Sequence, residues 1–245
     1  MPLIEVSLIN IVKKQVKFKL FSYPSIWLWL VSTQLFGIVL SVAVNNSVNS
    51  SDREFMTTIN MYDSAFLIIM TFIWIVVATI FHAIATTKQI DFTFITTRLS
   101  QFISTILYLV LLAAIGAITA YLGSSLIILI LKIIHDGMQF STQFTFLDHV
   151  VNVTGMFGYL LVLSGVAYLA VSLYQLNRFL LPGLLVLYGL VANLSTVYYF
   201  ENPIIQLFLF FEEETSIILF ILKVMGVTGI LFVAAWMTTR NREVV

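Results

Sequence analysis

A few side chains in this sequence are of the types that chemistry uses. His82, His135 and His149 offer imidazole bases or ligands, but none stands at metal-ligand spacing from another. By the charge pattern below, only His135 and His149 share one side of a membrane. Gly123-Ser124-Ser125 supplies the glycine–serine turn that an intramembrane serine hydrolase would need. It falls, however, on a stripe of Ala113, Gly116, Ala117, Ala120 and Ser124, whose spacing serves close helix approach. Glu212, Glu213 and Glu214 form an acidic run whose ordinary role is solvation. Lys223 is the one basic residue well inside an apolar run, and a charge at such depth costs about 2.5–3.5 kcal/mol on insertion scales. It either faces a substrate path or dimer contact and attracts an anionic group, or snorkels toward Glu214 or Glu213. Cysteine is absent, which removes thiolate metal sites, cysteine nucleophiles and disulfides. No paired carboxylates or metal cluster sit at one depth, so the residues favour a chain that is not an enzyme.

The stretch with the clearest docking character is Thr86–Gln101, a polar and aromatic interruption between two long apolar runs. Lys88, Asp91 and Arg98 are charged, while Ile90, Phe94 and Leu99 recur at about helical spacing beside Phe92 and Ile95. A loop that only joins two spans could be shorter and need carry no phenylalanines. The residues predict a docking helix that a separate partner protein could grip. The plainer alternative is an interfacial linker whose aromatics rest among lipid headgroups.

What must position these residues follows from composition. The chain of 245 residues is 60% hydrophobic and 10% charged, with a mean hydropathy of +1.03. A soluble domain carries about 25% charged residues and could not keep this much apolar surface from water. The fold class is therefore all-α and polytopic, embedded in a lipid bilayer. A formal net charge of zero implies no nucleic-acid partner.

Residues 3–21 read as an amphipathic interfacial helix, with Ile9, Val12, Val16 and Leu20 on one face and Asn10, Lys13, Lys14 and Lys17 on the other. With Lys19, these lysines suit a helix lying on an anionic inner leaflet. The segment lacks the continuous apolar core and small-residue cleavage site of a secretory leader, so the first span is expected to stay as an anchor. Pro24 ends the helix, and Trp27 and Trp29 follow at interfacial depth.

A hydrocarbon core about 30 Å thick needs roughly 20 helical residues. Six apolar runs meet that length: Ser25–Val44, Ser64–Ala85, Gln101–Leu131, Val150–Leu173, Phe179–Tyr199 and Ser216–Met237. The third is too long for an upright helix and too short for two spans and a turn, so it is expected to be one tilted or protruding helix. Lys13, Lys14, Lys17, Lys19, Lys88, Arg98, Arg178, Arg240 and Arg242 fall on one set of connections, and only Arg53 and Lys132 on the other. The positive-inside rule then places both termini in the cytoplasm. Asp52, Glu54, Asp63, Asp136, Asp148, Glu201 and the glutamate triplet fall outside. The apolar stretch from Pro203 to Phe211 is too short to cross, and either re-enters the outer half of the bilayer or lies on it.

An amphipathic N-terminal helix, six spans, an inner connector after the second and an outer apolar hairpin before the sixth form one ordered set. That order resembles the permease subunit of type-2 ATP-binding-cassette transporters, the exporter-like family, along essentially the whole chain. The resemblance implies a single permease domain, 1–245, with a membrane bundle at 25–238 and a cytoplasmic coupling segment at 86–100. Lys88, Ile90, Asp91, Phe92, Phe94, Ile95 and Arg98 would then contact a cytoplasmic ATPase subunit. The chain itself carries no Walker-type glycine loop, so ATP and magnesium would bind that partner and no cofactor this chain. Two permeases, identical or siblings, would flank the path of a hydrophobic or amphipathic cargo such as a peptide, lipid or drug, exported across a bacterial plasma membrane. Where membrane CAAX-type proteases follow their paired glutamates with an arginine, this chain has Ile217, and the match fails. The competing class is a non-transport membrane protein that senses, or gives immunity to, an antimicrobial peptide.

Overall fold

A computed structural model of the chain describes residues 8–44, 47–52, 55–60, 64–84, 98–134, 146–180, 182–183, 209–211, 214 and 216–240. Its elements are α1 (Leu8–Ser22), α2 (Pro24–Ala43), strands β1 (Ser47–Asp52) and β2 (Phe55–Asn60), α3 (Ala65–Ala83), α4 (Arg98–Ile134), α5 (Phe146–Leu176) and α6 (Ile217–Arg240). Among the described residues, α2 to α6 are the five helices long and apolar enough to cross a membrane. The chain is a multi-pass helical membrane protein, because only a helix satisfies every backbone polar group within one segment inside lipid. The expected fifth span, Phe179–Tyr199, and the stretch from Pro203 to Leu207 lie almost wholly outside the described residues.

The third apolar run is one uninterrupted helix of 37 residues. At ~1.5 Å per residue it is about 55 Å long, well beyond a ~30 Å hydrocarbon core, so it must tilt or project. Pro24 stands at the start of α2, where a missing N–H costs nothing, and separates it from α1. Trp27 reaches back across that break, its indole N–H donating to the Leu20 carbonyl at 3.0 Å. The carbonyls of a helix's last turn lack intrahelical partners, and this bond supplies one.

Two features depart from the sequence reading. Beyond the helices there is a short antiparallel hairpin, with Ser47 opposite Asn60 and Asp52 opposite Phe55. Ser47–Asp52 reads SVNSSD, with too little apolar alternation to announce a strand. The second departure is in α1. Its inward face is Val12, Gln15, Val16 and Lys19, while Ile9 is 65% exposed. Lys13, Lys14 and Lys17 are exposed, whereas Lys19 is only 4% exposed. At 100° per residue, Lys19 falls beside Val12 and Gln15, away from the other lysines.

The chain divides into two compact units, each with its own packing. One comprises Lys17–Ala78 and Val110–Leu160. Its centre is Leu67, Ile127 and Leu131, with Ile38 and Val42 against them. Small residues let the backbones come close, as dispersion-driven packing in lipid requires. A Cβ on Gly37 would lie 2.8 Å from the Leu67 Cα, and one on Gly123 2.9 Å from a Leu67 methyl. The expected stripe is a packing surface: Ala113, Gly116, Ala117 and Ala120 are buried, and Gly116 lies under the Trp74 ring. The Trp74 indole donates to the Ile26 carbonyl at 3.1 Å.

The other unit comprises Met1–Val16, Thr79–Leu109 and Leu161–Val245. Within it Gly165 accommodates Leu231, and the rings of Tyr168 and Phe232 pack edge-on with centroids 5.9 Å apart. Phe102 and Trp236 lie 6.1 Å apart. Ser164 and Ser172 are buried and turn their hydroxyls onto carbonyls of their own helix, at 2.8 and 2.9 Å. This leaves their outer surfaces apolar.

Candidate functional site

The predicted docking segment is bracketed rather than described. Lys88, Ile90, Asp91, Phe92, Phe94 and Ile95 lie outside the described residues, and of Arg98 only the helical backbone is described. What the structure gives is the two helix ends from which the segment springs, Ala83 at the close of α3 and Arg98 at the opening of α4. The α3 end carries a buried polar cluster. His82 Nε2 stands 2.5 Å from the Tyr108 hydroxyl on α4, and the two rings meet edge-on with centroids 4.3 Å apart. One residue further, the Ala83 carbonyl accepts a 2.6 Å bond from Gln175 Nε2 near the end of α5. The Ile84 N–H still closes the helix onto the Ile80 carbonyl at 3.1 Å.

The sequence singles out His82 only as one of three isolated histidines, and Tyr108 and Gln175 not at all. His82 and Gln175 are polar where an apolar run is ending, Tyr108 lies within one, and the paired residues are 26 and 92 positions apart along the chain. A second buried set, also unforeseen, bridges three spans in the other unit. Gln34 Nε2 donates to Thr119 Oγ1 at 3.0 Å and, more weakly, to Thr71 Oγ1 at 3.4 Å. Each threonine hydroxyl spends its proton on its own helix, Thr71 on Leu67 at 2.8 Å and Thr119 on Ile115 at 2.9 Å. Their lone pairs are thereby left to the amide.

Lys223 sits in the second turn of α6, about 9 Å along the axis from Ile217 at ~1.5 Å per residue. Its ammonium pairs with the Glu214 carboxylate, donates to the Phe210 carbonyl at 2.8 Å and lies 3.9 Å over the Phe210 ring. Both side chains of the ion pair are about one-fifth exposed. Phe211 continues the cluster, edge-on to Phe210 and to Phe220. The charge is thus led to the end of its span and met by an acid, a carbonyl and an aromatic face. Glu212 and Glu213 lie outside the described residues.

The other candidates resolve into local contacts. Tyr121 and His149 are hydrogen-bonded, and Ser125 donates to its own helix at the Tyr121 carbonyl, 3.2 Å away. His135 lies outside the described residues. Among the described residues no group of three or more histidine or acidic side chains gathers as a metal site would require. No protein-family model, curated protein or solved structure matches this chain.

Proposed function

We propose that the chain is the membrane-spanning permease subunit of an ATP-binding-cassette exporter. It has six spans and both termini in the cytoplasm of a bacterial cell. It pairs with a second permease, identical or a sibling, and a cytoplasmic ATPase grips residues 86–100. The cargo is hydrophobic or amphipathic, such as a peptide, a lipid or a drug-like molecule, and the path runs between the two permeases.

One observation carries this reading: α4 runs unbroken from Arg98 to Ile134. Two helices there would invert every later connection and scatter the basic residues over both sides. With one helix, Lys88, Arg98, Arg178 and Arg240 share a side with the lysines of α1, as positive-inside sorting requires. Further support comes from the exposed lysines of α1 and from the connection between α3 and α4, where a partner's push would reach two spans at once. The mechanism is alternating access. ATP-driven closure of the partner ATPases displaces the connector, and α3 and α4 swing the path open outward.

The test is to purify the chain with its ATPase and compare Phe94→Ala and Arg98→Glu. The expected outcome is intact membrane insertion, with ATP hydrolysis no longer tied to transport. Full coupled transport in both variants would contradict the docking assignment. Full activity of the chain with no ATPase companion would favour a sensing or immunity protein instead.

A further inference from the structure

His82, Tyr108 and Gln175 come from three different helices and converge on a single turn, the last of α3. His82, Ala83 and Tyr108 are all buried, and the Ala83 carbonyl is among those that a helix end leaves unpaired. Gln175 satisfies it from α5, while the imidazole ties the same turn to α4. All of these residues belong to one compact unit. Hydrogen bonds within so apolar a setting are costly to leave unmade, so each bond restricts how far one helix end can move without the others. Tyr108 stands ten positions into α4 from Arg98, about 15 Å along its axis at ~1.5 Å per residue. The tie therefore holds α4 at a second level, above the point where the helix begins.

We propose that His82, Tyr108 and Gln175 form a clasp that makes the ends of α3 and α5 and the third turn of α4 move as one body. They are positioning residues: they touch no cargo, and they convert displacement at the α3 end into joint movement of three spans rather than fraying of one. The transport role of the clasp rests on the permease reading. Its mechanical role does not, which allows the two to be tested apart.

The mechanical test is amide hydrogen exchange across residues 80–84 in the full-length chain, purified into lipid nanodiscs without any partner. Tyr108→Phe removes one hydroxyl and keeps the ring, and is expected to speed exchange in this turn about tenfold, the scale set by losing one buried hydrogen bond in a locally opening segment. Gln175→Leu should act in the same direction. His82→Phe should act in the same direction, and the double variant should add less than the sum of the two, because both remove the same bond. His82→Gln, which keeps a polar partner for the hydroxyl, should recover most of the protection. Exchange at wild-type rates in Tyr108→Phe and in Gln175→Leu would overturn the clasp.

The functional test is the number of ATP molecules hydrolysed per cargo exported by the chain assembled with its ATPase. Tyr108→Phe should raise that number at least several-fold while the ATPase stays bound, and an unchanged ratio would overturn the coupling role. If no ATPase associates at all, the permease reading fails, while the exchange result still decides the clasp.

Discussion

Two polar groups inside apolar helices meet opposite fates in this protein. Gln34, neutral, stays within the bundle and is satisfied sideways by the hydroxyls of two other spans. Lys223, charged, is drawn along its own helix to the acid and carbonyl beyond the helix start. The difference follows from solvation cost. An amide needs only hydrogen-bond partners, which neighbouring helices supply, whereas an ammonium also needs countercharge and a route toward water. The first arrangement fixes the packing of helices. The second lets a charge be tolerated, because Glu214 supplies the partner toward which a snorkelling lysine reaches.

That contrast can be broken most forcefully at the packing around Gln34. One turn away on α2, Gly37 has no room for a side chain, since the obstacle 2.8 Å from a Cβ is the α3 backbone itself. Gly37→Leu is expected to destabilise by about 3 kcal/mol, the upper range for overpacking, read as a lower melting temperature in detergent. Unchanged melting would mean that α2 and α3 do not approach as described. Next in size is Gln34→Leu. The threonines retain their own helix carbonyls, so the loss should be only about 0.6–1 kcal/mol, typical of interhelical hydrogen bonds in membranes. A loss several times larger would show that the amide holds something beyond those hydroxyls. The smallest effect belongs to Lys223→Leu. For a partly exposed ion pair the change should stay within about 0.5 kcal/mol, and transport should continue. A stable variant that has lost transport would place Lys223 on the substrate path.

How much of this was legible in the sequence depends on the range of the interaction. Helices in lipid are governed by local apolar length, so α2, α3, α5 and α6 begin and end within a few residues of the runs that predict them. The unbroken α4 was legible too, because the run is too short for two spans and a turn. The small-residue stripe declared its packing role through spacing alone. Rotation of a helix about its axis was not legible. Lys19 carries the charge of its neighbours, yet it is buried as Val12 and Val16 are. The polar clusters were least legible of all. Gln34 meets Thr119 from 85 positions away, and no local pattern in either segment names the other. The docking segment rests on its sequence character and on the two helix ends that frame it.

The whole account depends on which side of the membrane that segment faces, and the absence of cysteine makes this directly measurable. A single cysteine introduced as Lys88→Cys, probed in intact cells with a membrane-impermeant maleimide, reports the answer without background labelling of the chain. The account predicts no labelling until the cells are permeabilised, followed by full reaction. Labelling in intact cells would place the segment outside, beyond the reach of any cytoplasmic ATPase, and would contradict the proposed function.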